Sequence, residues 1–532
     1  MAKPSKLSAK ISNQPLVLAK PMHSFAKTRI ILVVLAIFSR KFAKTKNKYY
    51  LCIKICKMKE NIIGRHDEQD LLQQIIEAPE SRFVAVYGRR RVGKTYLIRE
   101  YYEDYIVFQC AGLANSTTQE QLKSFAQTLR RYNPTQAIQP HDWLEAFDLL
   151  ISYLSDLPQH RKVVFLDELP WMDTPGSNFI AALEHFWNGW ASARRDIVLV
   201  VCGSATSWMI NKLINNHGGL YGRLTDLISL QPFNLYETQL YLESQGIKLS
   251  PYEVAECYMI LGGIPYYLHY LDSRLSLAQN IDRLMFNPNG SLRNEFDKLY
   301  SSLFRESDRY IRVVSTLSKH AYGLSRKQIS ELTGITSGSG LTTILSNLEA
   351  CGFLNSQTNY ATPKRNSLYR LVDFFSLFHL RFLESSTFHH LANWTSLQRT
   401  PYFYTWAGYS FELVTLLHLP QVKASLGISG VLTHTYAWRK QSKADDQRGA
   451  QIDLIIDRND NTVTLCEVKF SEAEYSIDKG YEQELRNKVS AFVQESNKRK
   501  SVQLTMVTTF GLTRNSHSGV VQSVVTLEDL LK

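Results

Sequence analysis

The sequence predicts an α/β protein of several domains, and three observations support that prediction. A buried-strand pattern, Phe83–Tyr87, runs directly into a glycine-rich loop and then into a helical pattern. A second apolar run, Val163–Leu166, ends in two carboxylates. Far downstream, Gln451–Phe470 has the pattern of two apolar strands in a hairpin, followed by a long polar helix and another strand. At 532 residues the chain exceeds what one hydrophobic core supports, so about three or four domains are expected.

The net charge of +12 belongs to one end of the chain. Residues 1–57 contain 13 Lys or Arg and no Asp or Glu, whereas residues 58–532 contain 48 basic and 49 acidic side chains, a net charge of −1. The body therefore gives no general indication of nucleic-acid binding. The apolar run Ile30–Phe38 is less than half of a membrane span. We expect residues 1–57 to be a disordered tail or an extension before a start at Met58; a basic arm for membrane surfaces or nucleic acid is the alternative.

The seven cysteines are odd in number and scattered, and no two of them form a CxxC pair. This usage argues against a disulfide framework and against a zinc site. It is typical of a reducing compartment. We therefore expect a cytoplasmic protein without firm association with a membrane.

The loop after the first strand has the spacing of a phosphate-binding loop. Four residues separate Gly88 from Gly93, and Lys94 and Thr95 follow at the start of the helical pattern. Glycines let backbone N–H groups face the phosphates, and the helix N-terminus adds its positive end. We expect Lys94 to bind the β- and γ-phosphates of ATP and Thr95 to hold Mg²⁺. The loop residues predicted to contact the nucleotide are Gly88, Arg89, Arg90, Arg91, Val92, Gly93, Lys94 and Thr95.

Other strand ends supply candidate catalytic groups. Asp167 and Glu168 follow Val163–Leu166, and α/β sheets bind ligands at the C-terminal ends of their parallel strands. We expect Asp167 to hold Mg²⁺ and Glu168 to orient and polarise the attacking water. Ser204 ends a third apolar strand, where it either senses the γ-phosphate or only forms a turn. Arg223 is either an arginine finger, in the same chain or across a subunit interface, or an ordinary surface residue.

Six segments in this order resemble one family of ATPases. They are "NIIGRHDEQDLL", the glycine-rich loop, "VVFLDELPWM", "VVCGSATSWM", "LYGRLTDLISLQPFNLYE" and "LGGIPYYL". Together they resemble the predicted AAA+-related ATPases of prokaryotes, close to the STAND group of P-loop NTPases, over roughly residues 60–300. The resemblance implies that the turn at Gly64 and Arg65 lies near the nucleotide base. It also implies that Gly262–Pro265 belongs to a helical lid, with Pro265 as a nucleotide contact.

The segment Asp308–Asp373 has the pattern of three helices and two strands, which is typical of a winged helix-turn-helix. Its second helix begins at a capping box of Ser325 and Gln328. The expected recognition helix, Ser339–Ala350, contains no Lys or Arg, whereas contacts to DNA phosphates need cations. DNA binding and a role in packing or protein interaction therefore both stay open. The aromatic residues of Phe374–Glu384 recur at helical spacing and indicate a core stripe.

The charges of the late hairpin follow strand alternation. Alternate residues share a face, and Asp453, Glu467 and Lys469 are all odd-numbered. A three-residue loop, Asn459–Asn461, pairs Asp453 with Glu467 at a Cβ separation of about 5 Å. A divalent cation such as Mg²⁺ between the two acids would activate a water and polarise a phosphodiester oxygen, while Lys469 stabilises the developing charge. A loop of even length would put the acids on opposite faces, and an ordinary solvated face is the alternative.

This arrangement resembles the PD-(D/E)XK nucleases. Asp453 matches the first acidic position, Glu467-Val468-Lys469 matches E-x-K, and Glu412 on a preceding helix matches the carboxylate that often completes such sites. The resemblance implies metal binding by the three acids and a catalytic role for Lys469 on DNA or RNA. The same region resembles the C-terminal domain that commonly accompanies the ATPases named above. Nuclease-like folds also serve as binding modules without cleavage, so a cleaving domain and a domain that only binds are both consistent with the sequence.

The predicted fold class is multidomain α/β: a P-loop NTPase core with a parallel sheet and flanking helices, a helical lid, a winged helix-turn-helix and a C-terminal α/β/α domain like restriction endonucleases. The expected function is ATP hydrolysis coupled to a Mg²⁺-dependent nuclease-like domain. The alternatives are an ATP-dependent switch whose C-terminal domain only binds, and a winged-helix DNA-binding regulator. Partners consistent with the sequence are ATP, DNA or RNA, a protein partner and a second copy of the chain. The predicted boundaries are 1–57 for the basic extension, 58–235 for the ATPase core, 236–305 for the lid, 306–373 for the winged helix, 374–400 for a helical linker and 401–532 for the nuclease-like domain.

Overall fold

The part of the chain described by the structure, a computed structural model, begins at Lys59. The described residues are 59, 61–204, 206–215, 218–358, 360, 367–384, 393–440, 450–496 and 500–532. The predictions for residues 1–57 and for the wing tip at residues 362–366 lie outside this set.

Five parallel strands form the first sheet, in the order β2-β3-β4-β1-β5. Every residue of β3 and β4 is buried, as expected of continuous apolar runs in a parallel sheet that is covered on both faces. The strands predicted at Phe83–Tyr87 and Val163–Leu166 are confirmed as β1 and β3. The five strands are β1 Arg82–Tyr87, β2 Ile106–Ala111, β3 Lys162–Asp167, β4 Ile197–Gly203 and β5 Asp226–Ser229.

Helices cover both faces of this sheet. Alternate residues of β1 enter two different apolar clusters: Val84 and Val86 pack in one, Phe83 and Ala85 in the other. The fold is therefore an α/β fold with a parallel sheet flanked by helices. The helices up to β5 are α1 His66–Glu77, α2 Lys94–Tyr101, α3 Thr118–Tyr132, α4 Trp143–Asp156, α5 Leu169–Met172, α6 Phe179–Gly189 and α7 Thr206–Trp208.

A helical segment follows β5, and its helix starts are marked by capping boxes such as Ser250 with Glu253. Helix α9 is buried at every position from Val254 to Leu261, because most of these residues are apolar and the helix packs between neighbouring helices; the carboxylate of the buried Glu256 accepts from Trp394 and Gln398. The helices of this segment are α8 Leu235–Ser244, α9 Pro251–Leu261, α10 Pro265–Leu268, α11 Leu277–Ile281 and α12 Glu295–Leu303.

The middle segment combines three helices with a three-stranded antiparallel sheet of order β6-β8-β7. The aromatic stripe that follows is buried at Phe374, Phe375, Phe378 and Phe382, which confirms the predicted core role. The elements are α13 Ser307–Ser318, β6 Leu324–Ser325, α14 Arg326–Thr333, α15 Ser339–Ala350, β7 Leu354–Thr358, β8 Ser367–Leu371, α16 Phe374–Phe378 and α17 Trp394–Leu397.

The C-terminal segment contains a second five-stranded sheet, of order β13-β12-β11-β10-β9, in which β9, β10 and β11 are antiparallel and β11, β12 and β13 are parallel. Leu454 and Cys466 join the apolar cluster that includes Phe411, whereas Ile455 and Leu465 join the one that includes Leu485. The sheet therefore has a helix on each face. The elements are α18 Pro401–Leu417, α19 Leu419–Ser425, β9 Thr433–Lys440, β10 Ala450–Arg458, β11 Thr462–Lys469, α20 Lys479–Ser496, β12 Ser501–Thr508, β13 Ser523–Thr526 and α21 Leu527–Leu530.

Residues 59–532 form one compact unit, so the boundaries predicted at residues 235, 305, 373 and 400 stay predictions. One buried histidine illustrates how the segments are joined. His418, at the end of α18, accepts a hydrogen bond from the Leu235 backbone N–H at its Nε2 atom, over 2.9 Å. Its Nδ1 atom lies 2.8 Å from the Val414 carbonyl oxygen. Because Nε2 accepts, this joint needs the neutral ring with its proton on Nδ1.

Burial lowers the pKa of His418 to about 4, against about 6.5 in an unfolded chain. The stabilisation by the neutral ring is therefore complete above pH 6.5 and is lost as the pH falls towards 4. Between pH 7 and pH 5 we expect the wild type to lose about 2 kcal/mol of unfolding free energy through this group. In His418→Gln the loss is smaller by that amount, as urea unfolding at the two pH values measures. An equal loss in both proteins contradicts the assignment.

Candidate functional site

The carboxyl ends of three adjacent strands bring the predicted ATP-site residues together. Strands β3, β4 and β1 are neighbours in the parallel sheet, and they end at Asp167, just before Ser204, and just before Gly88. The Thr95 hydroxyl donates to Oδ2 of Asp167 over 2.8 Å. The two groups predicted to hold Mg²⁺ are therefore in direct contact.

The glycine-rich loop needs glycine at both of its ends. Gly88 has a φ of 141°, and a Cβ atom there would lie 2.3 Å from the Leu230 carbonyl oxygen. Gly93 has a φ of 93° and open space where its Cβ would be, so the backbone beside it stays accessible. The buried Lys94 ammonium donates to the carbonyl oxygens of Gly88 and Arg89, each over 2.9 Å. The loop thus curls around the lysine that is predicted to bind phosphate.

Glu168 is held by Ser204 across the strand ends. Its backbone is left-handed, with a φ of 46°. The Ser204 hydroxyl donates to the Glu168 carboxylate over 2.8 Å, and the Ser204 backbone N–H donates to the same oxygen over 3.3 Å. The structure therefore brings the predicted water-orienting acid and the predicted phosphate sensor into one hydrogen-bonded pair.

A cavity of about 630 Å³ lies against the loop. Its wall includes Arg65, whose guanidinium carbon lies 4.6 Å from the centroid of the Phe233 ring. Pro265 and Tyr266 of the helical segment also line it. Arg65 and Pro265, the two nucleotide contacts that the family resemblance implies, therefore border the same space as the loop. The loop residues lining the cavity are Arg90, Arg91, Val92, Gly93, Lys94 and Thr95.

Two loop arginines are anchored in other segments. Arg89 forms a buried ion pair with Asp373, and its guanidinium carbon lies 4.8 Å from the centroid of the Phe353 ring. Burial works against the charge of Arg89, but the Asp373 carboxylate outweighs it and the pKa of the guanidinium is raised. Arg91 pairs with Glu295 and lies 4.1 Å from the centroid of the Tyr266 ring. The phosphate loop is thus joined to the middle and helical segments.

Arg223 is not brought to this cavity. It lies exposed on the turn before β5 and is not among the residues that line the space beside the loop. A role in the same chain as an arginine finger gains no support from this position, and a role across a subunit interface stays a prediction.

Residues 63–271 match the model of an ATPase domain family that occurs predominantly in Archaea. The chain is similar to an ATPase domain over that segment. The matched segment contains the phosphate loop, Asp167, Glu168 and Ser204. An uncharacterized protein of Methanocaldococcus jannaschii is 24% identical over 418 residues, which cover 77% of this chain and 88% of that protein.

Two similar solved structures are a Walker-type ATPase and an ORC2 protein. The Walker-type ATPase PABY2304 of Pyrococcus abyssi is 17% identical, covers 61% of this chain and 98% of its own, and has a TM-score of 0.46. The ORC2 protein of Aeropyrum pernix, in ADPNP–ADP complexes, is 14% identical, covers 60% and 95%, and has a TM-score of 0.37. Both TM-scores are under 0.5, and the α/β fold is defined by the parallel strand order β2-β3-β4-β1-β5.

The C-terminal hairpin has the predicted register. Leu454 pairs with Cys466 and Asp457 with Val463, so the same register continued by one residue would place Asp453 opposite Glu467. The loop between the strands is Asn459–Asn461, of three residues. The odd-length loop and the register of residues 454–457 against 463–466 are thereby confirmed, and the pairing of the two acids stays a prediction.

A β-bulge places Asp453 between the two faces of the sheet. Strand β9 pairs with Ile452 and Ile455 but shifts register between them. Ile452 and Ile455 pack in the same apolar cluster although they are three residues apart, which strict alternation would not allow. Asp453, at the bulge, accepts from the backbone N–H of Val468, which directly follows Glu467 on β11, and it lines one cavity with Glu412 of α18. It is therefore close to acids that arise from opposite faces.

Each of the three acids also has its own partner. Glu412 accepts from Arg370 of β8 over 3.2 Å, Glu467 accepts from Lys488 of α20 over 2.7 Å, and Asp453 accepts from the Val468 backbone N–H over 2.9 Å. Burial, and after it the Asp453 charge, raises the pKa of Glu412 and of Glu467 to about 7. Oε1 of Glu467 is buried without a hydrogen-bond partner in the part of the chain that the structure describes.

The three carboxylates do not form a ready-made metal cage. Among the residues the structure describes, no group of three or more His, Cys, Asp or Glu side chains is arranged to hold a metal ion. The cations of Arg370 and Lys488 face the acids instead, and the Lys469 ammonium lies 4.8 Å from the centroid of the Tyr481 ring.

Sequence reasoning missed three residues of these sites: Asp373, Arg370 and Lys488. Each forms an ion pair with a residue of another element, and the spacing of residues along the sequence does not indicate such a contact. The excess of acids at the hairpin was the one available signal, because buried acids require nearby cations.

None of the described helices is both long and apolar enough to cross a membrane, and the five described cysteines are free and buried.

Removing the Asp373 carboxylate leaves Arg89 buried and unpaired, so we expect Asp373→Ala to lower the free energy of unfolding by about 3–5 kcal/mol. Urea unfolding at pH 7 measures the change. The control is Glu306→Ala, which removes the exposed pair with Arg309 and is expected to cost no more than about 1 kcal/mol. Equal effects of the two substitutions contradict the role assigned to the buried pair.

Proposed function

We propose that this chain binds ATP at the glycine-rich loop and hydrolyses it with Mg²⁺. The observation that carries the proposal is the direct contact of the Thr95 hydroxyl with the Asp167 carboxylate at the rim of the loop. Hard oxygen donors of this kind, completed by phosphate oxygens and waters, suit Mg²⁺. The similarity of residues 63–271 to an ATPase domain supports the same function.

The residues around the loop divide the work of hydrolysis. Lys94 exchanges its two loop carbonyls for phosphate oxygens, because an ammonium forms stronger hydrogen bonds with charged acceptors. Glu168 orients the attacking water, and Ser204 positions the Glu168 carboxylate through its hydroxyl and backbone N–H. Mg²⁺, when bound, neutralises charge that develops on the phosphates. Asp167 and Thr95 are the residues that would hold it.

We expect Lys94→Ala to abolish ATP hydrolysis by weakening nucleotide binding, and Glu168→Gln to retain binding while turnover falls by about 10²-fold or more. Phosphate release measures turnover, and a fluorescent ATP analogue measures binding. The exposed Arg99→Gln in α2 serves as the control and should hydrolyse ATP like the wild type. Undiminished hydrolysis by Lys94→Ala would falsify the assignment of the loop.

We propose further that the C-terminal segment is a nuclease-like domain that binds a divalent cation. The supporting observations are that Glu412 and Asp453 line one cavity and that Oε1 of Glu467 is buried with no hydrogen-bond partner among the described residues, where an added cation would pair with it. The metal, when bound, supplies an activated water and polarises a phosphodiester oxygen. Lys469 stabilises the charge on that oxygen, and Lys488 holds Glu467 in place.

The two sites are joined through the helical segment. Tyr252 at the start of α9 stacks on Phe470, with ring centroids 4.7 Å apart, and Phe470 directly follows Lys469. Phe411, which directly precedes Glu412, contacts the same Phe470 ring at 5.3 Å. The other end of α9 leads into Pro265 and Tyr266 at the nucleotide cavity. We infer that a movement of this lid on nucleotide binding changes the geometry at Lys469 and Glu412.

The middle segment fits a winged helix-turn-helix that transmits this movement. Its three helices are followed by the two expected strands, β7 and β8, and the short strand β6 is additional; the segment supplies Asp373 to the phosphate loop and Arg370 to the C-terminal acids. The helix expected to enter a DNA groove, α15, contains no Lys or Arg. These features favour packing between sites over sequence-specific DNA recognition.

Metal-dependent cleavage tests the C-terminal proposal. With Mg²⁺ or Mn²⁺ and a mixture of labelled DNA and RNA, we expect products from the wild type and at least a 10²-fold loss in Asp453→Ala, because the acid next to both glutamates is removed. Asp460→Ala, in the loop of the same hairpin, is the matched control and should cleave normally. Absence of cleavage with every nucleotide favours the non-cleaving switch, and cleavage that survives Asp453→Ala contradicts the site.

A further inference from the structure

A cleft between the middle segment and the C-terminal sheet opens onto the candidate nuclease site. The cavity has a volume of about 470 Å³, within the range of sites for nucleotide-sized ligands. One wall belongs to the middle segment and includes Tyr322 and Arg370. The opposite wall includes Trp438 and Asp453, and Glu412 lies at the same cavity. The acids are therefore approached through a space that two segments build together.

One donor of Arg370, its Nε–H, is not used by any residue that the structure describes. Its side chain is only 7% exposed, and one terminal nitrogen donates to Glu412 over 3.2 Å. Its Nε atom is buried without a hydrogen-bond partner among the described residues. A buried unmet donor is costly, and a guanidinium fork matches the paired oxygens of a phosphate. Arg370 thus has the chemistry of a phosphate-binding residue that borders the acids.

The rest of the cleft suits an unpaired base. The Tyr322 ring is 37% exposed and meets the Tyr409 ring edge to face, with centroids 5.9 Å apart. Two amide side chains, Gln357 and Gln451, line the same cavity; Gln328 also lines it, but its oxygen accepts from Ser325 in the capping box. Aromatic faces bind single-stranded bases by stacking, and amides pair with exposed base edges. A turn of duplex does not fit in this volume of about 470 Å³, whereas a single nucleotide does.

We propose that this cleft binds a single strand of nucleic acid, with a phosphate on Arg370 and a base against Tyr322, so that a phosphodiester lies beside Asp453 and Glu412. The inference rests on the proposed nuclease-like function of the same site and names its substrate class. When the strand is absent, Glu412 serves as the partner of Arg370; when the strand is bound, the phosphate takes that place and frees the Glu412 carboxylate to face a cation.

Binding is measured separately from cleavage, with the full chain in EDTA and about 150 mM salt, by fluorescence anisotropy of a labelled 12-nucleotide single strand of DNA or RNA and the matching duplex. We expect the single strand to bind at least about tenfold more tightly than the duplex. Arg370→Gln and Tyr322→Ala should each weaken single-strand binding by about tenfold, the effect of losing one phosphate contact or one stacked base. The basic residues 1–57 are present in every variant, so differences between variants report on the cleft.

Arg309→Gln, an exposed arginine of the same segment that does not line the cleft, is the control and should bind like the wild type. Tyr322→Ala alters a partly exposed ring and keeps the test decisive if Arg370→Gln fails to fold. Equal affinity for duplex and single strand, wild-type affinity in Tyr322→Ala, or no binding at all overturns the proposal. If Asp453→Ala still binds the single strand and neither it nor the wild type cleaves, the cleft binds nucleic acid but the nuclease function is wrong. If cleavage is unchanged in both Tyr322→Ala and Arg370→Gln, the nuclease function holds but the cleft is not its substrate site.

Discussion

The buried ion pair between Arg89 and Asp373 is the constraint on which the rest of the arrangement depends. It joins the phosphate loop to a residue 284 positions away, at the start of α16. Asp373 also accepts from the Ser376 backbone N–H and so caps that helix. Because an unpaired charge in this position costs several kcal/mol, the loop and the middle segment cannot separate without a large loss of stability. A nucleotide that reshapes the loop therefore acts on the middle segment as well.

Contacts of the same kind continue to the C-terminal acids along two routes. Through the helical segment, Arg91 contacts Tyr266, and Tyr252 of α9 stacks on Phe470, which is next to Lys469. Through the middle segment, β8 places Arg370 against Glu412, and Asp373, three residues after Arg370, pairs with Arg89 of the loop. Aromatic stacking and buried ion pairs are both sensitive to small displacements, so each route can convert a change at the loop into altered charge at the acids.

Local pattern predicted much of this structure. An apolar run before a glycine-rich loop predicted β1, and a second apolar run before two carboxylates predicted β3. The odd number of residues in the hairpin loop predicted the register of β10 and β11. Strict alternation did not predict the bulge at Asp453, which depends on pairing with β9. The partners Asp373 and Arg370 could not be predicted either, since they depend on how separate segments pack and leave no periodic trace.

Coupling between the glycine-rich loop and strand β11 is tested most directly by hydrogen exchange of the full chain with and without a non-hydrolysable ATP analogue. We expect saturation with the analogue to change the exchange of α9 and of β11 through Phe470, and we expect Tyr252→Ala to bind the analogue equally well but to lose the change in β11. Saturated binding that alters exchange only around the loop, with β11 unchanged in the wild type, would contradict this coupling.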